Sequence, residues 1–383
     1  MKPVVIIGTG LAGYSLAREL RKLDANMPLQ IVTADDGQFY SKPMLSNALT
    51  KNMTPSDLAI ASAEQMAQEL NATIRINTRV TAIDTVSHRL GIGEDLISYD
   101  KLVLALGAKP DPPPLKGDAA SEALSINNLD DYAHFRNAID NCTRIAIIGP
   151  GLIGCEFAND LSNAGKQVTV IGPDPIPLAR LLPTEAGNAL RDALKRIGIE
   201  WRLGVFVEEM GFNGNGYRLQ LSDATYVDAE IVLSAVGLRP NIRLARTTGL
   251  RTNRGIVVDR NLATSTENVY ALGDCMEVAG LVLPFVMPIT HCARTLARTL
   301  VQQPTQLFYP AMPVAVKTSA HPVIVAPPPP GANGDWRISI DGGGVRAEFR
   351  DDNRHRQLLG FALTGTATRD RQSLTSGLPP LLA

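Results

Sequence analysis

Two glycine-rich loops hold the residue types best suited to chemistry in this chain. Gly149-Pro150-Gly151-Leu152-Ile153-Gly154 follows the apolar run 145–148, and Gly8-Thr9-Gly10-Leu11-Ala12-Gly13 follows Val4–Ile7. In each loop the first glycine permits a tight turn. The second lets backbone approach a pyrophosphate, and the third lets the next helix pack on the strand. The amides opening that helix then face the phosphates. A chain with two such loops holds two dinucleotides. Glu156 lies two places beyond the second loop. It can hydrogen-bond a ribose, hold a nicotinamide or set a redox potential. Equally, it can be a first-turn acid favoured by the helix dipole, an effect of about 0.3–1 kcal/mol.

Other charged residues invite the same question. Lys42, in Tyr40-Ser41-Lys42-Pro43, can lie against an electron-rich ring or a phosphate, or be a solvated surface lysine. Asp274, delivered by the apolar run 269–272 just past Gly273, can accept bonds from ribose or ribityl hydroxyls. After Leu29–Val32, the place for a ribose-binding acid reads Thr33-Ala34-Asp35-Asp36. The acid is therefore late, and an Asp/Gly turn explains it equally well. The four cysteines, Cys142, Cys155, Cys275 and Cys292, form no C-x-x-C and no metal-ligand spacing. They read as reduced thiols.

The elements that must position these residues alternate strand and helix. The helix Leu11–Leu23 and the strand Leu29–Val32 complete the first unit, and a strand over 101–106 ends in glycine. A helix is expected over 56–70, and short strands over 73–76, 79–83, 89–92 and 95–98. Lys109-Pro110-Asp111-Pro112-Pro113-Pro114 is a stiff linker. The second unit has a helix over 152–164, a strand over 167–171 and a helix over 184–197. A meander follows over 201–210, 217–221 and 226–228, then a closing strand over 231–236. A helix is expected over 288–302, and a third, small α/β piece begins at Phe308. A length of 383 residues suits two or three domains. A net charge of −1 argues against nucleic acid or a membrane surface as partner. The most apolar stretch, 280–290, is half of a membrane helix, and no leader pattern opens the chain, so a cytoplasmic protein is expected.

Gly8–Gly13, Tyr270-Ala271-Leu272-Gly273-Asp274 and the inserted Gly149–Gly154 loop resemble the FAD/NAD(P) disulfide-oxidoreductase superfamily. Four further segments are similar to bacterial rubredoxin–NAD⁺ reductases: Ile153-Gly154-Cys155-Glu156-Phe157-Ala158-Asn159-Asp160-Leu161, Ser234-Ala235-Val236-Gly237-Leu238-Arg239-Pro240, Tyr40-Ser41-Lys42-Pro43-Met44-Leu45-Ser46 and Leu359-Gly360-Phe361-Ala362-Leu363-Thr364-Gly365. The resemblance implies an α/β fold with two Rossmann-like domains, the second inserted in the first, and a small C-terminal α/β domain. Expected bounds are 1–109 with 240–307 for FAD, 110–239 for NAD and 308–383 for the interface domain. It implies FAD contacts from Gly8, Thr9, Gly10, Leu11, Ala12, Gly13, Thr33, Ala34, Lys42, Val80, Asp274, Val286 and Lys317. It implies NAD contacts from Gly149, Gly151, Leu152, Ile153, Gly154 and Glu156, with Glu156 and Lys42 nearest the chemistry. Lys317, a charge in an apolar strand, either sits over the flavin pyrimidine or is an edge lysine.

The implied reaction passes a hydride from NADH to flavin N5 and then single electrons to the iron of rubredoxin, in alkane hydroxylation or in oxygen and nitric oxide detoxification. Without a dithiol, electrons must leave to an external acceptor. The alternatives are a ferredoxin reductase of an oxygenase system, an NADH oxidase, and a non-catalytic FAD/NAD redox sensor. NADH is favoured over NADPH because no arginine follows the strand 167–171 until Arg180, although Gly172 stands where the ribose acid is usual and Asp174 comes late. Arg346, Arg350, Arg354, His355 and Arg356, with Asp351 and Asp352 interleaved, are either solvated surface charges or a rim for docking an acidic carrier. No metal is expected, and a monomer is.

Overall fold

The computed structural model describes residues 2–353 and 356–383. Nine strands carry the two nucleotide-type sheets: β1 (Val4–Ile7), β2 (Leu29–Val32), β3 (Thr73–Arg75), β4 (Lys101–Leu104), β5 (Arg144–Ile148), β6 (Gln167–Gly172), β7 (Glu200–Leu203), β8 (Ile231–Ser234) and β9 (Val269–Ala271). The first sheet has the order β9-β4-β1-β2-β3 and the second β7-β6-β5-β8, all parallel. β1, β2 and β5 are buried almost without alternation. Parallel strands covered on both faces need this, which is why they read as unbroken apolar runs.

The topology explains the repeated loop. After β4 the chain leaves the first sheet, builds the second, and returns to add β9 beside β4. The outgoing strand Ala108–Pro110 pairs antiparallel with the returning strand Leu238–Pro240, and Asp111 bonds Arg239 at 2.5 Å. Both crossings therefore lie side by side. Three helices frame the loops: α1 (Leu11–Leu23), α2 (Leu152–Asn163) and α3 (Val286–Leu300). α1 packs on α3 over the first sheet. From β9 onward the C-terminal sheet is β10 (Val314–Val316), β11 (Val323–Ala326), β12 (Gly334–Asp341), β13 (Gly344–Asp351) and β14 (Leu358–Thr364), antiparallel in the order β10-β11-β14-β13-β12. No helix is long and apolar enough to cross a membrane among the described residues.

Several sequence expectations fail locally. The helix expected over 56–70 is two helices, Pro55–Leu58 and Ala63–Glu69, with a strand between. Thr54 and Ser62 each form a capping box, so the chain starts a helix twice. The strand expected over 201–210 divides: β7 joins the parallel sheet, and Val207–Asn213 opens the meander. Gly204 at φ +76 makes the break. The strand expected over 79–83 is Ala82–Asp84.

Candidate active site

The two glycine loops are near-copies in geometry. Gly8 has φ +115 and Gly149 φ +116, so each turn needs glycine. A Cβ on Gly13 would stand 1.9 Å from the Gly8 carbonyl oxygen, and one on Gly154 1.9 Å from that of Gly149. These glycines let helix and strand touch. Gly10 and Gly151 differ: a Cβ there would meet no protein atom within 4 Å. They cap α1 and α2, and neither helix has a side-chain N-cap. The opening amides of both helices therefore face outward with no protein acceptor supplied by the cap.

Around the first loop, Thr9 donates to Thr33 Oγ1 at 3.0 Å and to Asp35 Oδ1 at 3.1 Å. Thr33 Oγ1 and the Gly37 N–H also bond Asp35 Oδ1, at 2.5 and 3.1 Å. One Asp35 oxygen is thus taken by the turn that ends β2, and Thr33 and Ala34 form its rim. Thr78 N–H reaches the Thr33 carbonyl at 2.7 Å, which ties the segment bearing Val80 to that rim. Gly273 lies so close to Ala12 that a Cβ there would be 2.7 Å from its side chain, so the turn that carries Asp274 packs against the start of α1. Asp274 Oδ1 is buried with no hydrogen-bond partner among the described residues. Burial raises the Asp274 carboxyl above its ordinary range, with Lys42 opposing the shift. Burial likewise lowers the Lys42 ammonium, with Asp274 and Asp131 opposing. Lys42 Nζ donates to Asn127 Oδ1 at 2.6 Å, and Asn127 Nδ2 donates to the Ala108 carbonyl at 3.0 Å, on the outgoing crossing strand. Val286, at the start of α3, is 42% exposed.

The second loop leads to a joint between three parts of the chain. Glu156 is fully buried. Its Oε2 accepts from Ser46 Oγ at 2.5 Å and contacts the Lys317 ammonium; its Oε1 accepts from the Lys317 N–H at 2.8 Å. Sequence alone left Glu156 open between a dipole-compensating acid and a site residue, and Lys317 between an edge lysine and a site lysine. The two are ion partners, 161 residues apart. Leu152 and Ile153 open α2, and Ile153 is 40% exposed. Cys155 is buried, its thiol bonded to the Pro150 carbonyl at 3.5 Å and pushed well above the ordinary range by burial, then by Glu156. It is inert packing. Ser46, Asn127, Asn159 and Asp160 were missed by sequence reasoning. The polar spacing 156, 159, 160 in the otherwise apolar run 152–161 was the available signal.

Two features of the sequence find a structural cause. Arg346 and Arg350 are not free docking cations: both bond Glu348, and Arg346 also bonds Asp370, at 2.5 Å. Positions 346, 348 and 350 alternate along one strand and so line one face, which makes their side chains neighbours. Arg354 and His355 lie outside the described residues. Gly172 holds no acid because a Cβ there would sit 2.1 Å from the Pro150 Cδ. The proline in the loop fills the space of a side chain at 172.

Residues 2–297 match the family model described as pyridine nucleotide-disulphide oxidoreductase. The chain belongs to that family. Residues 306–378 of this oxidoreductase match a rubredoxin binding C-terminal domain. Over 383 residues it is 45% identical to Rubredoxin-NAD(+) reductase of Alcanivorax borkumensis, covering 100% of both chains. Over 369 residues it is 37% identical to Nitric oxide reductase FlRd-NAD(+) reductase of Vibrio vulnificus, covering 95% of this chain and 94% of the relative. Its structure is similar to a ferredoxin reductase of Rhodopseudomonas palustris, with TM-score 0.89, 25% identity and coverage of 99% and 96%. It shares its fold with NADH:rubredoxin oxidoreductase from Clostridium acetobutylicum, with TM-score 0.81, 20% identity and coverage of 98% and 94%.

FAD and NAD(H) are the nucleotides of this family, and the site residues fit them. Both helix N-termini offer amides without a side-chain cap. The second glycine of each loop opens onto free space, as a pyrophosphate requires. Asp274 presents a buried, unpartnered carboxylate oxygen where a polyol hydroxyl would satisfy it.

Proposed function

We propose that this oxidoreductase carries electrons from NADH through FAD to rubredoxin. The single observation that carries the reading is the joining, in one chain, of the two-nucleotide unit to a rubredoxin binding C-terminal domain over 306–378. Identity of 45% to a rubredoxin reductase along the full length supports it. So does the absence of a cysteine pair: all four cysteines are free, three are buried, and burial pushes Cys275 up to about 12 and Cys292 up to about 11. A disulfide relay has no thiolate to use.

The fold supports the following assignments. We read 1–109 with 240–307 as the FAD unit, 110–239 as the NAD unit and 308–383 as the carrier-facing unit. FAD is held by the loop Gly8–Gly13, by Thr33, Ala34 and Val80 at its rim, and by Lys42, Asp274, Val286 and Lys317. NADH is held by Gly149, Gly151, Leu152, Ile153, Gly154 and Glu156. Bound FAD supplies the exchange between the hydride of NADH and the one-electron chemistry of an iron carrier. The protein's own part is to hold charge and geometry. The α1 and α2 N-termini neutralise two pyrophosphates. Asp274 accepts from a polyol hydroxyl, and Lys42 opposes its charge. Glu156 fixes the Lys317 ammonium so that it does not wander into water. Alignment of this kind contributes up to about 7–11 kcal/mol to bimolecular chemistry.

NADH is the donor: no arginine follows β6 in the sequence until Arg180, and Arg202, beside the end of β6, is paired with Glu200. The protein acts as a monomer in the cytoplasm. The test is anaerobic stopped-flow mixing of the FAD-loaded protein with NADH. Bleaching of the flavin band within seconds is the expected result. Bleaching over minutes would reduce the protein to a two-nucleotide sensor.

A further inference from the structure

Three polar residues of α2 are left without a role once its first turn is given to NADH. Asn159, Asp160 and Asn163 follow Glu156 at spacings of three, four and seven, so they continue one stripe along the helix. Asn159 and Asp160 are each 2% exposed. Polar groups at that depth must find partners, and they find them on two other parts of the chain. Asp160 accepts from the Leu49 N–H and the Thr50 N–H, both at 2.9 Å, while the Thr50 hydroxyl donates to the Asp160 carbonyl at 3.2 Å. Asn159 Nδ2 and Asn163 Nδ2 both donate to Ser319 Oγ at 3.1 Å, and the Ala320 N–H donates to Asn159 Oδ1 at 3.2 Å. Glu156 grips the same two segments one turn earlier, at Ser46 and Lys317.

We propose that Asp160 and Asn159 are positioning residues that register two lysines on the NADH-binding helix. Asp160 fixes the segment 42–50, which begins at Lys42. Asn159 fixes the turn 317–320, which begins at Lys317. The inference rests on the reading that both lysines face FAD. The residue types are demanded by the partners. At 160 both donors are backbone amides of consecutive residues, so both ends of the planar group must accept, which only a carboxylate does. At 159 one end accepts from the Ala320 amide and the other donates to the Ser319 hydroxyl, a pairing that a neutral amide makes without burying a charge. α2 is thereby a common rail: its N-terminus holds the donor nucleotide, and its buried stripe holds the lysine-bearing segments of the first and third units. A shift along that rail moves both lysines together.

The test exchanges the two chemistries without changing volume. Asp160→Asn turns an NH₂ toward one backbone amide, and Asn159→Asp buries a negative charge in place of the neutral amide. Each variant is purified with FAD. The flavin absorption spectrum, the flavin midpoint potential and the anaerobic rate of reduction by NADH are then measured. The expected result is a displaced spectrum, a shifted potential and reduction slower on the order of 10-fold, with the NADH Kd within about two-fold of the parent. An unmoved spectrum and potential in both variants would overturn the proposal. Should either variant fail to fold, Thr50→Val removes one bond from the first anchor and Ser319→Ala two from the second; the same shifts are expected at smaller size, and their absence counts equally against it. Lys42→Ala and Lys317→Ala run alongside. If those leave the flavin unmoved, the underlying reading of the FAD site has failed. If they move it while Asp160→Asn and Asn159→Asp do not, only the positioning role has failed.

Discussion

Glu156→Gln is the change with the most calculable consequence. The carboxylate is fully buried and takes the Ser46 hydroxyl at 2.5 Å, the Lys317 N–H at 2.8 Å and the Lys317 ammonium. Breaking a fully buried ion pair costs about 3–5 kcal/mol, whereas an exposed pair is worth about 0.2–1. Glu156 is at the buried limit, but the Lys317 side chain is 34% exposed, so about 2 kcal/mol is the appropriate figure for the pair. The glutamine NH₂ must also face a donor, adding about 1 kcal/mol. The joint is therefore weakened by about 3 kcal/mol, or on the order of 100-fold in its opening equilibrium. The Lys317 amide is a built-in reporter because it donates to Glu156. Native-state hydrogen exchange of that amide is predicted to accelerate on the order of 100-fold in Glu156→Gln. Adding Lys317→Met removes the stranded charge, so the double variant should recover about 2 kcal/mol relative to the sum of the singles. Strictly additive singles would refute the claim that this pair holds the joint together.

Other expectations follow from the same geometry. Gly10→Val and Gly151→Val project into space free of protein atoms, so both should fold. The first is predicted to purify colourless, and the second to stay yellow with an NADH KM raised on the order of 100-fold; loss of flavin from the Gly151 variant alone would reverse the two assignments. Gly172→Asp should raise the NAD⁺ Kd at least ~10-fold because its Cβ meets the Pro150 ring at 2.1 Å, and a second change, Pro150→Ala, should restore binding. Calorimetric titration reads this cycle, and simple addition of the two single effects would contradict the interlock. His321 is buried with Nε2 unpartnered among the described residues, and burial, then Arg196, lowers its pKa below the ordinary value of 6.5. The unfolded chain binds this proton first, so the His321 contribution to stability is complete above pH 6.5 and is lost as pH falls below it. Melting at pH 7.5 and at about 5.5 should fall further in the parent than in His321→Leu; equal losses would rule the histidine out.

Sequence reads well where one residue's environment is set by its own neighbours. β1, β2 and β5 are apolar on both faces, and the fingerprint glycines are fixed by contacts within a loop and its helix, so both nucleotide units were legible. So was the insertion, because the second loop interrupts a fold that Tyr270 to Asp274 completes. Sequence reads poorly where partners are distant. Nothing near Glu156 announces Lys317 or Ser46, 161 and 110 residues away. Asp160 looks like a surface acid until the 49–50 amides meet it. Arg346 and Arg350 read as docking candidates because only Asp351 and Asp352 were weighed against them, and not Glu348, the partner they share. The single helix expected over 56–70 failed for a local reason that was visible: Ser62 with Gln65 is a capping box in the middle of the run.

Electrons leave this flavoprotein for rubredoxin. This is tested most directly by steady-state turnover with NADH and three acceptors side by side: purified rubredoxin, a ferredoxin and oxygen. The account predicts a kcat/KM for rubredoxin higher than for either alternative by on the order of 100-fold or more, falling as salt is raised if docking is electrostatic. Rubredoxin reduced no faster than ferredoxin or oxygen would contradict it.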